Sequence, residues 1–200
     1  MAEIRLIVGL GNPGPQYAAT RHNVGAELVR GLAHRYKISL SADRAFKGRI
    51  GRGEICGIDV RLLLPDTYMN LSGQSVSAVA QFYKLPVESI LIAYDELAFE
   101  PGQIRLKTGG GANGHNGVAS VIDGLANDRG FHRLRIGVGH PGDKELVMAY
   151  LTGVRIPAKE REMIEATFDL DEVVLDHLLH GRMQKAMTAL HSPPPISEET

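Results

Sequence analysis

The chain has 200 residues, 44% of them hydrophobic and 22% charged, and a formal charge of −1 at pH 7. That length suits one domain burying about 70% of its extended-chain surface, and the composition is ordinary for a soluble globular protein. The single cysteine, Cys56, excludes an internal disulfide and fits a reducing compartment; no apolar run is long enough to span a membrane, and a start carrying Glu3 and Arg5 does not read as a secretory signal.

Residues 4–10 read as a buried strand running into the turn Gly11-Asn12-Pro13-Gly14-Pro15. Val24, Leu28, Val29, Leu32, Ala33 and Tyr36 recur at helical spacing, so a helix begins near Asn23. Residues 49–55 and 59–64, parted around Gly57, read as a hairpin in which Cys56 is a half-buried small residue. Val76, Val79, Ala80 and Tyr83 predict a second helix, closed by Pro86. Residues 89–94 form a short apolar stretch, a central strand that delivers Asp95 at its C-terminal end. Residues 104–107 and 133–138 alternate as strands do, and Val118, Val121, Ile122 and Leu125 between them predict a helix capped by Asn116. Asp143 is placed to cap a short helix through Tyr150. Pro157 is placed to open a long helix whose Met163, Ile164, Phe168, Val173 and Leu178 face inward. Residues 191–200, with Pro193, Pro194 and Pro195, read as a disordered tail. Strands alternating with helices predict an α/β fold: one domain over residues 1–190, with a mixed β-sheet flanked by helices on both faces.

Gly9, Gly11 and Gly14 spell the G-x-G-x-x-G of dinucleotide sites, but that motif needs a helix opening inside the glycine run and an acidic residue about 20 positions on. Pro13 and Pro15 bias their predecessors away from helical angles, and the later position offers Ala33, His34 and Arg35. Four other features gather where strands end or helices open: Asn12, the pair Met69-Asn70, the pair Asp95-Glu96, and the glycine-rich residues 109–117. Asparagine both donates and accepts while neutral, which suits an ester carbonyl, a peptide backbone or a ribose. His22 lies just past the glycine turn, and Asp95 is available to hold one ring nitrogen and leave the other as a general base. No serine or cysteine stands in a nucleophile-elbow sequence, so the pair suggests direct activation of water. His177 and His180 lack metalloprotease spacing, and no metal is expected. Arg105 and Lys107 leave one face of a strand, as do Arg133 and Arg135; these four cations are either solvated surface or a phosphate clamp. Residues 1–150 hold 17 Lys and Arg against 14 Asp and Glu, while residues 151–200 hold 5 against 9, which leaves room for a basic site on the first part.

Together, Val8-Gly-Leu-Gly-Asn-Pro-Gly14, Tyr17, Thr20-Arg-His-Asn23, Thr67-Tyr-Met-Asn-Leu-Ser-Gly73, Asp95-Glu96-Leu97, Gly109-Gly-Gly111, Gly114-His-Asn-Gly117, Phe131-His-Arg-Leu-Arg-Ile-Gly137 and His140-Pro-Gly-Asp143 closely resemble the bacterial peptidyl-tRNA hydrolase family over nearly the whole chain. The resemblance implies a cytoplasmic, monomeric esterase without metal or cofactor, and peptidyl-tRNA as its partner. It would cleave the ester joining a stalled peptide to the terminal ribose of tRNA. By position, His22 resembles the general base, Asp95 the carboxylate that orients it, and Asn12 the amide that reads the blocked peptide. Tyr17, Tyr68, Asn70 and Asn116 match substrate-contacting positions, and Met69 and His115 match cleft-lining ones. Lys107 with Arg135, and Arg105 beside them, resembles the clamp on tRNA phosphate. Asn12 or Asn70 is expected to supply the oxyanion's donor. The family's pattern is departed from at Ala112-Asn113, where His-Gly is common, at Arg105, where lysine is common, and at Tyr68, where phenylalanine is also common. A non-catalytic RNA-binding module on the same scaffold would have lost His22 or Asp95.

Overall fold

Strands β1 (Leu6–Gly9) and β5 (Ile90–Glu96) are buried along almost their whole length, as befits strands covered on both faces. They are joined by β2 (Ser41–Asp43), β3 (Gly48–Ile55), β4 (Ile58–Pro65), β6 (Ile104–Thr108) and β7 (His132–Gly137). In the computed structural model, which describes residues 2–192, these form one seven-stranded sheet of order β2-β3-β4-β1-β5-β7-β6. The central strands β4, β1, β5 and β7 run parallel, while β2, β3 and β6 are antiparallel to their neighbours. The expected mixed sheet is therefore present. The short strand β2 was not expected, because Ser41, Ala42 and Asp43 carry no apolar alternation.

Helices cover both faces. α1 (Val24–Arg35), α5 (Ala158–Ala166), α6 (Glu172–Leu179) and α7 (Met183–His191) lie over one core, built on Ile7, Leu62, Leu91, Leu134 and Ile136. α2 (Ser72–Phe82) and α3 (Asn116–Gly124) lie over the other, built on Leu6, Val8, Leu63 and Ile92. A short α4 (Val147–Thr152) sits near the C-terminal ends of the parallel strands.

Three expectations along the helices need correction. The long helix expected from Pro157 is two, because the Asp171 carboxylate accepts from the Val173 backbone N–H at 2.7 Å and starts α6 afresh. That reset turns Val173 outward, 57% exposed, and Met163 on α5 is likewise 50% exposed, while Ile164 and Leu178 are buried. Asp143 does cap, but it caps a 3-10 turn, Lys144–Leu146, that leads into α4. His191 is no tail residue: it ends α7 and its Nε2 accepts from the Leu106 backbone N–H at 2.9 Å on the outer edge of β6. The expectation for residues 193–200 lies outside the described residues.

Two glycines let α1 come unusually close to the sheet. A Cβ on Gly25 would lie 2.2 Å from the Ala93 carbonyl oxygen of β5, and one on Gly9 would lie 2.5 Å from the Gly25 oxygen. The glycine run of the first turn therefore serves helix–sheet packing. α1 opens ten residues past Gly14, after two 3-10 turns, so no helix N-terminus sits inside the run and the dinucleotide geometry is absent.

Gly25→Ala should cost about 1–3 kcal/mol in urea unfolding, since the atom it meets is backbone and cannot turn aside. Gly31→Ala, on the exposed side of the same helix with nothing within 4 Å, should instead stabilise by about 0.5–1 kcal/mol.

Candidate active site

The sheet order reverses direction at β1, and the C-terminal ends of β1 and β5 flank the crevice where open α/β sheets bind ligands. The chain between Gly14 and α1 closes this end with the 3-10 turn Arg21–Asn23, three consecutive polar residues that are all buried. His22 reaches β5: its Nδ1 lies 2.7 Å from Asp95 Oδ2. Its Nε2 makes no hydrogen bond among the described residues, and the ring lines an open cleft. Burial favours the neutral ring. The charge and hydrogen bond of Asp95 outweigh it, so His22 titrates above the ordinary value of 6.5. Burial would likewise raise the Asp95 carboxyl, yet the two histidines against it hold it well below the usual carboxylate range.

The second histidine is His115, whose Nε2 meets Asp95 Oδ1 at 2.9 Å. Its Nδ1 accepts from the backbone N–H groups of Gly117 and Val118, at 3.1 and 3.2 Å. A nitrogen accepting two N–H groups presents its lone pair, so the ring proton sits on Nε2 and is donated to Asp95. His115, not Asn116, thus caps α3, and Asn116 is the helix's first residue. Ligand-type atoms of His22, Asp95 and His115 lie within 4.8 Å of one another. They face each other as hydrogen-bond partners, and a cation among them would have to displace the protons that bind them.

The amide residues form a second unit, joined to the first through Asn23. Asn23 Oδ1 accepts from the Asn12 backbone N–H at 2.8 Å, and Asn23 Nδ2 donates to the Asn12 carbonyl at 3.0 Å. The Asn12 side-chain oxygen in turn accepts from the Met69 N–H at 2.7 Å, which leaves its Nδ2 as the end free to donate. Asn70 and Tyr68 are exposed on that same turn, whereas Met69 is buried with its sulfur packed on Gly117. Tyr17, half-buried, ends the turn Pro15–Tyr17, where its carbonyl accepts from Thr20. Asn12 borders a polar depression of about 320 Å³ with Arg30 and Asp66, separate from the cleft lined by His22.

That cleft measures about 410 Å³, within the range of small-ligand sites. His22, Asp95, His115 and Asn116 form its polar side; Leu97, Val147, Met148 and Leu151 form an apolar wall. Asn113, in the glycine-rich loop, takes φ 49°, a left-handed conformation that asparagine tolerates better than most other side chains.

In the antiparallel ladder Arg105 lies opposite Arg135, and Lys107 opposite Arg133, so all four cations share one face. They are not equivalent. Arg133 is 1% exposed and donates to the carbonyls of Gly110 and Gly111, so it holds the glycine loop and is no free clamp member. Arg135 lies 3.7 Å from Glu96 and over the Phe99 ring. Neither Arg105 nor Lys107 pairs with a carboxylate among the described residues. The roles of Asn23, His115 and Arg133 were not foreseen; the one signal for Asn23 was a run of polar residues directly before an apolar helix.

The sequence model of the family described as peptidyl-tRNA hydrolase matches residues 6–198. The chain is 51% identical to the peptidyl-tRNA hydrolase of Pseudomonas paraeruginosa and 52% identical to that of Shewanella putrefaciens, in each case over 96% of this chain and 98% of the relative. It is similar to the crystal structure of peptidyl-tRNA hydrolase from Acinetobacter baumannii, with a TM-score of 0.92, 48% identity and 98% of each chain covered.

The opposed forces on His22 give a test of the pair. Proton NMR of the imidazole should place the wild-type titration above 6.5, and Asp95→Asn should bring it below 6.5, because burial then acts without the carboxylate. A titration that ignores the substitution would separate the two side chains in solution.

Proposed function

The chain belongs to the peptidyl-tRNA hydrolase family, and on that premise we propose that this cleft hydrolyses the ester between a peptide and the 3′-terminal ribose of tRNA. The observation that carries the reading is the buried His22–Asp95 pair at 2.7 Å, with the second ring nitrogen turned to an open cleft. His22 Nε2 takes a proton from water as the oxygen attacks the ester carbonyl. The negative charge that develops on the carbonyl oxygen needs a neutral donor, and the free Nδ2 of Asn12, held by Met69 and Asn23, supports Asn12 in that role. As the tetrahedral intermediate collapses, the ribose oxygen leaves with the proton from the imidazolium, releasing tRNA and a peptide carboxylate.

Like charges directly opposed across two strands destabilise a ladder. Arg105 and Lys107, without a carboxylate partner among the described residues and beside Arg135, are therefore better explained by an anionic partner than by sheet stability, and a tRNA phosphate fits them. Asn116 on the cleft wall, and Asn70 and Tyr68, exposed on the turn that Asn12 holds, are assigned to the ends of the substrate, and Tyr17 to the rim of the first turn. The enzyme acts as a cytoplasmic monomer. No helix among the described residues is long and apolar enough to cross a membrane.

The decisive experiment is incubation with N-acetylated and free aminoacyl-tRNA. The blocked ester should be cleaved in preference, because an amide-lined pocket leaves a protonated α-amino group unpaired. A folded His22→Ala protein should lose about 10²–10⁴-fold in kcat while still binding tRNA; near-wild-type turnover would move the base elsewhere.

Replacing both Lys107 and Arg135 with Ala should raise KM for tRNA esters and flatten its dependence on salt, with a much smaller change in kcat. An unchanged salt slope would return both residues to the solvated surface.

A further inference from the structure

The turn that bears His22 carries a third buried side chain, and its partners lie outside the catalytic pair. Arg21, with a side chain only 4% exposed, meets Glu160 Oε2 of α5 at 2.6 Å. It also donates to the Tyr150 carbonyl at 3.3 Å, and its guanidinium lies 3.7 Å from the centroid of the Tyr150 ring. The Tyr150 hydroxyl donates to the Val138 carbonyl at 2.6 Å, which ties the ring to the end of β7. Tyr150 belongs to α4, the helix whose Val147, Met148 and Leu151 form the apolar wall of the cleft. A six-residue helix does not hold itself, so the place of α4 depends on such tertiary anchors. Leu151 seats one side of α4 in the core, but Met148 within it and Leu146 just before it are 53% and 52% exposed, so the core holds α4 by one side only.

We propose that Arg21 is a positioning residue for the acyl part of the substrate: it sets the separation between His22, its neighbour in the chain, and the apolar wall of α4. The planar guanidinium fork suits the task. One edge takes a carboxylate, another a carbonyl, and the flat face stacks on an aromatic ring, a combination that lysine cannot reproduce. This inference rests on the assignment of ester hydrolysis to the cleft.

The test compares wild type with Arg21→Met, Arg21→Lys and Glu160→Gln on a peptidyl-tRNA ester, with hydrogen exchange of residues 147–152 as a second readout. Contacts remote from the reacting carbonyl bind ground and transition states alike, so Arg21→Met should raise KM about tenfold and leave kcat within about threefold. Arg21→Lys should recover part of the loss. Glu160→Gln, at a half-exposed partner that tolerates change, should raise KM about two- to threefold and have no added effect in the Arg21→Met background. Exchange in α4 should quicken in Arg21→Met while β5 and the His22 titration stay as in wild type. Unaltered KM and unaltered α4 exchange would overturn the proposal. So would a fall in kcat at constant KM, which would mean that Arg21 acts on the base and not on α4. Failure of the wild type to cleave a blocked ester would sink the hydrolase reading instead, with the exchange data still deciding the anchoring.

Discussion

Everything at this end of the molecule depends on one 3-10 turn of three residues. Such a turn has three residues per revolution, so successive side chains leave it about 120° apart. Arg21, His22 and Asn23 therefore point three ways from one short stretch of backbone, and because all three are buried each must find polar partners. Arg21 finds them on α4 and α5, His22 on β5, and Asn23 on the turn after β1. Each arm offsets the cost of burying its own side chain. The turn thus joins the base, the amide donor and the cleft wall through one stretch of backbone.

Asp95 performs the same service from the opposite side. It is fully buried, and each of its oxygens has a histidine partner. One partner is the base. The other, His115, is also the cap of α3, so the carboxylate that orients the imidazole also anchors the helix carrying Asn116 and closing the glycine loop. Fold and chemistry share a hydrogen-bond chain from the α3 N-terminus through His115 and Asp95 to His22. The short contact between α1 and β5 at Gly25 keeps that chain compact.

Where the sequence was legible, period and chemistry agreed. The apolar runs of β1 and β5 announced a sheet centre, and a carboxylate at the end of β5 with a histidine after a glycine turn announced a pair. Period alone misled elsewhere. Alternation tells which face Arg133 leaves but not whether a loop covers it, so a buried loop anchor looked like one of four equal cations. Apolar spacing continues smoothly through residues 163–178, and only the capping carboxylate of Asp171 breaks the helix there. Asn116 looked like the cap of α3 because asparagine is a common cap, whereas the imidazole of His115 does the same work from one position earlier. Three consecutive buried polar residues have no periodic signature at all.

The position of β6 at the rim of the sheet has a colloidal consequence. A terminal strand offers its unpaired backbone groups to any strand of a neighbouring molecule. Here the Leu106 N–H is already occupied by His191, and Arg105 and Lys107 bring positive charge to the same strand. Two copies approaching rim to rim would repel before their backbones could pair. The charges assigned to an RNA phosphate thereby also keep the protein dispersed in concentrated solution, and a β6 made neutral would trade solubility for a sticky border.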